Sequence, residues 1–279
     1  MTTLVLQGSG LNDSLINNIE QELNAVAVKT DLYAVIKTSD TISDEQLAQL
    51  RSGHDVDINV VPEGFVPANT KLFVTDMDST LINIECIDEI ADFINVKPQV
   101  SAITESAMRG EIDFETSLRQ RVSLLKGLEV SALERVYEER LQLNPGAELM
   151  IKALQKQGIK TALVSGGFTF FTERLKQRLG LDYTLANVLA EENGKLTGEV
   201  VGDICGAQSK ADFLLAQCEA LNIAPAQVVS IGDGANDLLM MKEAGLSIAY
   251  HAKPTVQEQA DTSINHSGLE AVIGLLQLN

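Results

Sequence analysis

Three short segments of this chain place acidic, hydroxyl and small residues directly after apolar runs. The segment DMDST (residues 76–80) follows the apolar residues 72–75. Two carboxylates two positions apart can hold a metal ion with one group and place the other beside a reacting atom. An Asx-turn or a helix cap explains the same pattern, so this segment alone leaves both interpretations open. A calcium loop is excluded, because counting from Asp76 puts Leu81 where the turn glycine belongs and Ile87 where the bidentate glutamate belongs.

Two further segments carry residues that bind anions or cations. In VSGGF (residues 164–168), glycines permit close backbone approach and Ser165 can bond an anion near the start of the next helix, although an ordinary turn fits equally well. GDGAND (residues 232–237) is more specific, because a plain turn rarely needs two carboxylates and an amide, though a capped helix could use them. Lys210, taken alone, is a typical solvated residue near a helix start.

The spacing of apolar residues predicts how these segments are positioned. Apolar strands at residues 72–75, 161–164 and 228–231 alternate with longer helical stretches, which predicts an α/β fold with a doubly wound parallel sheet. The carboxyl ends of parallel strands form the ligand-binding edge of such a sheet, so the three segments are expected to meet there. The helical stretch 88–143 is too long for one crossover and predicts an inserted helical cap, and ENGK (residues 192–195) predicts a hairpin turn.

The first seventy residues have a different spacing of apolar residues. They predict strand, helix, strand, strand, helix and strand, in order at residues 3–7, 14–23, 25–29, 33–37, 44–50 and 56–61. That order is typical of a small α+β ferredoxin-like domain, with an antiparallel sheet and its helices on one face. The segments PEG (62–64) and PAN (67–69) are interpreted as a linker. We therefore expect two domains, residues 1–70 and 71–279.

Composition and charge restrict the partners. The 279 residues are 45% hydrophobic and 22% charged, as in ordinary folded proteins. A formal charge of -18 repels nucleic acid and anionic membrane surfaces, so neither is an expected partner. The three cysteines, Cys86, Cys205 and Cys218, form no pairing pattern, and the N-terminus has no leader-like basic and apolar stretch, which predicts a cytoplasmic protein. The oligomeric state stays open between a monomer and a homodimer.

The segments at 76, 164, 209 and 232, in this order, resemble the four motifs of the haloacid dehalogenase superfamily of phosphatases. Five longer stretches resemble its phosphoserine phosphatase family along almost all of residues 71–279: DMDSTLINIECIDEI, FETSLRQRVSLLKGL, LVSGGFTFF, GKLTGEV and IGDGANDLLMMKEAGLSIAYHAKP. The resemblance implies that phosphoserine is hydrolysed through an aspartyl-phosphate, as the last step of serine biosynthesis. It also implies that Asp76 is the nucleophile and Asp78 the acid/base. The implied phosphate ligands are Ser165, Gly166, Lys210 and Asn236. The implied Mg2+ ligands are Asp76, Asp233 and the backbone carbonyl of Asp78. Asp237 is implied as an outer partner of the metal site.

The same resemblance implies how the serine part of the substrate is recognised. Glu85 is implied as the partner of its ammonium and Arg121 as the partner of its carboxylate, while Met108 and Phe114 correspond to apolar cap positions. Met77 departs from the family, which often has phenylalanine there, by exchanging one apolar residue for another. Residues 1–70 resemble the extra domain of longer bacterial members and contain no motif that names a ligand. We expect them to be dispensable for the chemistry.

Two alternatives stay beside this hypothesis. A signalling receiver domain also combines a doubly wound sheet with clustered acids, a hydroxyl and a lysine, but it needs only about half this length and its phosphate acceptor ends a later strand. Within enzymes, a related phosphatase or phosphotransferase acting on another small phosphomonoester would use the same motifs.

Overall fold

The N-terminal part forms a four-stranded antiparallel sheet with two helices. The computed structural model describes residues 1–278, so the end of the predicted second domain at residue 279 lies outside the described part. The elements are β1 (Thr2–Gln7), α1 (Asp13–Glu22), β2 (Ala27–Lys29), β3 (Tyr33–Thr38), α2 (Asp44–Arg51) and β4 (Asp57–Val61). The strand order is β2-β3-β1-β4 and all the pairs are antiparallel, which confirms the ferredoxin-like prediction.

Local sequence explains the two helices of this part. The side chain of Asn12 accepts a hydrogen bond from the Leu15 N–H at the start of α1, and Ser43 forms a capping box with Gln46 at the start of α2. Alternation along the strands separates two apolar faces. Leu4, Leu6, Ile36 and Ile58 pack with α1 and α2, whereas Val5, Tyr33, Val35 and Val61 belong to the core of the larger part. The small sheet is therefore covered on both faces.

The larger part is built on a seven-stranded sheet. Its strands are β5 (Leu72–Thr75), β6 (Lys160–Phe168), β7 (Tyr183–Glu192), β8 (Lys195–Val201), β9 (Val228–Gly232), β10 (Leu246–Tyr250) and β11 (Thr262–Ile264). Their order is β11-β10-β9-β5-β6-β7-β8, with parallel pairing except between β7 and β8. The doubly wound sheet is thus confirmed, with one antiparallel edge strand. That edge arises from the predicted hairpin, in which Asn193 and Gly194 have φ values of 53° and 76°.

Helices cover this sheet and form the cap. Between β5 and β6 the chain forms α3 (Cys86–Phe93), α4 (Lys97–Met108), α5 (Phe114–Ser123), α6 (Ser131–Glu139) and α7 (Ala147–Lys156). The first four occupy the stretch expected to be a cap, and α5 packs against β8. The remaining helices are α8 (Thr169–Leu179), α9 (Ala207–Leu221), α10 (Leu238–Glu243), α11 (Pro254–Gln257) and α12 (Ala271–Leu275). Across residues 1–278, none of these helices has the length and apolarity needed to cross a membrane.

Buried polar side chains join the two sheets. The amide of Asn59 on β4 donates to the Ser263 carbonyl at 2.9 Å and accepts from the Ser263 N–H at 3.0 Å, so it pairs with β11 as a strand backbone would. The carboxylate of Asp57 accepts hydrogen bonds from three consecutive N–H groups, those of Asn265, His266 and Ser267. The N-terminal part is consequently fixed to the segment that follows β11.

Candidate active site

One cavity lies where the carboxyl ends of β5, β6 and β9 meet the cap. These strands are neighbours in the sheet, and residues of α4 and α5 also line the cavity, which has a volume of about 510 Å3. Its walls contain every predicted site residue except Lys210, namely Asp76, Asp78, Glu85, Arg121, Ser165, Gly166, Asp233 and Asn236. Lys210 lies beneath the wall and is fully buried. The four motifs are therefore brought together, as the order of parallel strands predicts.

A buried ion-pair triad forms the floor of this site. The Lys210 Nζ lies 2.6 Å from Oδ1 of Asp76 and 2.6 Å from Oδ1 of Asp237. Burial raises the pKa of Asp76, and repulsion from Asp237 adds to this effect while Lys210 opposes it. Burial alone would lower the pKa of Lys210, but the two carboxylates raise it overall. Lys210 is thus a permanent cation that holds Asp76 in place.

Asp78 lies at a sharp turn of the chain directly after β5. Its neighbour Ser79 has a left-handed φ of 57°, and the Asp78 Oδ1 accepts a hydrogen bond from the Cys86 N–H at 3.3 Å. A Cβ at Gly167 would lie 2.8 Å from the Met77 Cε and 3.0 Å from the Asp78 Oδ2, so glycine there leaves room for both side chains. Burial raises the pKa of Asp78 to about 6. This group can therefore exist in either protonation state near neutral pH.

The second motif presents a hydroxyl and a fixed backbone. The Ser165 Oγ accepts a hydrogen bond from the Gly167 N–H at 2.8 Å, which leaves its own proton available to an acceptor in the cavity. The buried side chain of Asn187 donates to the Gly166 carbonyl at 2.8 Å and accepts from the Cys205 N–H at 2.8 Å. Asn187 was not selected from the sequence, because a lone asparagine on a strand has no distinguishing pattern.

The acidic side chains after β5 and β9 fit a hard divalent cation. Carboxylate oxygens of Asp76, Asp233 and Asp237 all lie within 4.8 Å of one another. The Thr80 hydroxyl donates to the Asp233 Oδ1 at 3.2 Å, and burial raises the pKa of Asp233. Oxygen-only donor sets of this kind suit Mg2+, and uncompensated buried acids attract a cation. Lys210 donates to one oxygen of Asp76 and one of Asp237, but the second oxygen of Asp237 also accepts from the Gly234 N–H, which leaves Asp76 and Asp233 as the freer pair.

The cap side of the cavity carries one acid and one arginine. Glu85 precedes α3 and accepts a hydrogen bond from the Ser79 hydroxyl at 2.8 Å. It keeps contact with solvent through the cavity, yet the surrounding protein and then the charge of Asp78 raise the pKa of Glu85 to about 7. Arg121, on α5, donates from Nε to the Ser117 carbonyl at 3.4 Å and forms no ion pair within the described chain. Its terminal guanidinium nitrogens are thus available to an anion.

Two apolar cap residues lie over the motifs. Phe114 approaches Gly166 so closely that a Cβ there would lie 3.1 Å from the Phe114 Cζ. Met108, at the end of α4, also lines the cavity and is 66% exposed. The lack of a side chain at Gly166 therefore lets the Phe114 ring of the cap pack directly against the second motif. The structure also adds Asp88, Ser117 and Lys253 to the walls; all three lie in the stretches that resemble the family, but none was selected as a site residue from the sequence.

Comparison with known proteins agrees with this arrangement. A family model for haloacid dehalogenase-like hydrolases matches residues 70–245. The phosphoserine phosphatase of a Polaromonas species is 54% identical over 225 residues, covering 79% of this chain and 95% of that protein. The phosphoserine phosphatase of Haemophilus influenzae is 44% identical over 279 residues, covering 99% of this chain and 88% of that protein.

A solved structure extends the likeness to the N-terminal part. The unliganded probable phosphoserine phosphatase from Vibrio cholerae matches with a TM-score of 0.86 and 38% identity, covering 99% of this chain and 86% of that one. These matches exclude the receiver-domain alternative. The chain belongs to the haloacid dehalogenase-like hydrolases and, among them, to the phosphoserine phosphatase family.

Proposed function

We propose that this chain hydrolyses O-phospho-L-serine to L-serine and phosphate, the last step of serine biosynthesis. The observation that carries the proposal is one cavity with two different ends. The floor presents Asp76 and Asp78 beside the phosphate-binding motifs, and the cap presents Glu85 and Arg121. A phosphorylated amino acid has a phosphoryl group at one end and an ammonium and a carboxylate at the other. Two relatives that are 54% and 53% identical to this chain are named phosphoserine phosphatases.

The first half of the reaction uses both acids after β5. A carboxylate oxygen of Asp76 attacks phosphorus, and the bond between phosphorus and the serine oxygen breaks. Asp78, in its protonated form, donates its proton to that leaving oxygen. Serine departs, and Asp76 carries the phosphoryl group as a mixed anhydride. The pKa of about 6 for Asp78 supports this role, because an ordinary carboxyl group would be too rarely protonated at neutral pH.

The second half regenerates the enzyme. Asp78, now ionised, accepts a proton from a water molecule whose oxygen attacks phosphorus. The bond between phosphorus and the Asp76 oxygen then breaks, which releases inorganic phosphate and restores both carboxyl groups to their first states. One group serves as acid and then as base, so its pKa must lie near the working pH.

Four groups are proposed to bind the phosphoryl oxygens. They are the Ser165 hydroxyl, the Gly166 N–H, the Lys210 ammonium and the Asn236 amide. Preorganised donors of this kind stabilise the charge that is redistributed in the transition state. Lys210 is fully buried and pairs with both Asp76 and Asp237, so its ammonium is held in position before the substrate binds.

Mg2+ is the proposed cofactor, with the Asp76 and Asp233 carboxylates and the Asp78 backbone carbonyl as its ligands. When bound, it would neutralise phosphoryl charge next to the nucleophile. Asp237 acts through Lys210 as an outer partner of this site. The fit rests on the oxygen-only donors and on the raised pKa of Asp233, whose cause is burial among other acids.

Recognition of serine is assigned to the cap. The proposed contacts are the Glu85 carboxylate with the ammonium and the Arg121 guanidinium with the carboxylate. No residue before Asp76 lines the cavity, which supports the assignment of the chemistry to residues 71–279 and leaves residues 1–70 outside it. The three cysteines are buried and free, which supports a reducing, cytoplasmic location.

The test is phosphate release from a panel of phosphorylated metabolites in the presence of Mg2+, with Asp76→Asn as the matched control. Phosphoserine should have the highest kcat/KM of the panel. Asp76→Asn should fold, form no acid-stable phosphoenzyme, and lose about three orders of magnitude in kcat, because an amide is no nucleophile. A better substrate without an amino-acid end would favour the alternative of another small phosphomonoester. Phosphate on any residue other than Asp76 would overturn the mechanism.

A further inference from the structure

Lys253 is a cation of the active-site cavity that no step above uses. It follows β10, the strand next to β9, so it projects from the same edge of the sheet as Asp233 and Asn236. All three residues line the cavity. Lys253 is exposed to solvent, and within residues 1–278 it forms no ion pair and no hydrogen bond through its ammonium. A cation without a protein partner is therefore available in the part of the cavity wall that follows the sheet strands.

The charged side chains of the cavity wall indicate a role for Lys253. Five carboxylates line the walls, those of Asp76, Asp78, Glu85, Asp88 and Asp233, against two cations, Arg121 and Lys253. Lys210 is below the wall and already paired with two acids. A phosphate dianion entering from solvent thus meets acidic walls in a chain of charge -18, whose charge the proposed Mg2+ and the two wall cations would offset. Local cations are needed to attract it.

We propose that Lys253 binds the phosphoryl group of the entering substrate, and of the phosphate product, at the mouth of the site. The proposal rests on the function proposed above and adds a residue to its recognition of phosphate. Arg121 lies on the cap, and Lys253 lies beside the Asn236 loop. The two cations therefore attract opposite ends of the same molecule. Because Lys253 is exposed, it contributes to capture and affinity and not to the chemical step.

Two hydrogen-bond paths fix the backbone that carries Lys253, and both start at Asp57 in the N-terminal part. On the first path, the Ser267 N–H donates to Asp57 Oδ2 at 2.9 Å, and the Nε2 of His251 donates to the Ser267 carbonyl at 2.9 Å. His251 has a left-handed φ of 44°, a conformation that such contacts must hold. His251 is two residues from Lys253.

The second path reaches the residue immediately before Lys253. The Asn265 N–H donates to Asp57 Oδ1 at 2.7 Å, and the Asn265 amide donates to the Gln257 Oε1 at 3.0 Å. The Gln257 Nε2 then donates to the Ala252 carbonyl at 2.7 Å. We infer that Asp57 is a positioning residue for Lys253. The N-terminal part would then contribute to substrate affinity although it supplies no residue to the cavity.

The first experiment replaces the cation in the full-length chain. Lys253→Gln should raise KM for phosphoserine roughly threefold to tenfold at low ionic strength and leave kcat unchanged. The same factor is expected for phosphoethanolamine and for inhibition by inorganic phosphate, since all three contain the phosphoryl group. Half-molar salt should reduce the factor, and Lys253→Arg should keep the native KM. The control, Lys152→Gln, removes an exposed charge on α7 and should change none of these values.

Three outcomes would overturn the role of Lys253. They are an unchanged KM, a change confined to phosphoserine, or a fall in kcat at constant KM. Equilibrium binding of inorganic phosphate to the native and variant proteins provides a readout that does not need turnover. If the native protein failed to hydrolyse phosphoserine, the proposed function would fail, and the phosphate affinity would still decide the role of Lys253.

The second experiment tests the positioning by Asp57. Asp57→Ala should raise KM for phosphoserine and leave kcat unchanged, with kcat calculated from the amount of protein that forms the phosphoenzyme. Adding it to Lys253→Gln should produce little further increase, because both changes remove the same contact. If the increase in KM of the double variant equals the product of the two single increases, the coupling is contradicted. A loss of kcat alone in Asp57→Ala would contradict it as well. If Asp57→Ala does not fold, Gln257→Ala interrupts the second path within the catalytic part and should raise KM partially. An unchanged KM in that variant would overturn the inference.

Discussion

The Lys210 ammonium lies 2.6 Å from the Asp76 carboxylate although 134 positions separate the two residues. It lies equally close to Asp237, and all three side chains are almost completely buried. One lysine thus compensates two acids in the floor of the site. A charge buried in this way is stable only while its partners are present. The same contact that positions the nucleophile therefore also contributes to the stability of the fold.

Removing this cation should be costly. Lys210→Met leaves Asp76 and Asp237 buried without a counter-charge and should lower the free energy of unfolding by about 3–5 kcal/mol. The double variant Lys210→Met with Asp237→Asn leaves one buried acid instead of two, so it should be more stable than Lys210→Met alone. Urea unfolding of the four proteins of this cycle measures the coupling. If the two effects simply add, the triad is not an energetic unit.

The pH dependence should follow the two roles of Asp78. With a pKa of about 6, its protonated fraction falls as the pH rises above that value, so kcat/KM for phosphoserine should decline there. Hydrolysis of the phosphoenzyme needs the ionised form and should decline below about pH 6. With p-nitrophenyl phosphate, whose leaving group needs no proton, the decline of kcat/KM above pH 6 should be largely absent. An equal decline for both substrates would assign the acid to another group.

Glu85 should reduce the stability of the unliganded protein at high pH. Its pKa is raised to about 7, so the folded state binds the proton more tightly than the unfolded state does. This contribution to stability is complete below the usual glutamate pKa and is lost as the pH rises through about 7. Glu85→Gln should therefore be more stable than the native chain at pH 8 and equal to it near pH 4, as measured by urea unfolding. A less stable variant at pH 8 would contradict the raised pKa.

Arg121 should distinguish substrates by their carboxylate. Arg121→Ala removes a charge-assisted contact worth on the order of 1.5–3 kcal/mol, so kcat/KM for phosphoserine should fall at least about tenfold. Phosphoethanolamine lacks the carboxylate and should lose far less. The measurement is kcat/KM for both substrates with native and variant protein. Equal losses would mean that Arg121 acts on the phosphoryl group or on the fold.

Divalent metal should stabilise the chain in a pH-dependent manner. At a hundredfold excess over its Kd, Mg2+ should add about 2.7 kcal/mol, which shifts Tm by several degrees. Burial raises the pKa values of Asp76 and Asp233, so protons compete with the metal as the pH falls. The shift in Tm should therefore be larger at pH 8 than at pH 5, and Asp233→Asn should abolish most of it. A shift that Asp233→Asn leaves intact would place the metal elsewhere.

Much of the fold was predictable because its signals are local. Apolar runs predicted the four strands of the small sheet and β5, β6 and β9 of the large one, and the turn at residues 192–195 predicted the hairpin of β7 and β8, whereas β10 and β11 were not predicted. The parallel order of β5, β6 and β9 followed from the intervening helices, and with it the meeting of the three motifs at one edge. The helical stretch 88–143 could be recognised as an insertion, but its division into separate helices depends on short loops that helical periodicity does not define.

The sequence by itself determined which residue types occur, in which order, and at which strand ends, and these were sufficient to predict the family and its chemistry. Only the tertiary structure decided which charges are buried together. Residue type alone does not distinguish Lys210, fully buried between two acids, from Lys253, an exposed residue of the cavity wall. Nor does any motif indicate that Asp57, 196 positions before Lys253, fixes the segment that carries it. Burial and ion pairing are properties of residues distant in the chain, so they exist only once the sheets have packed.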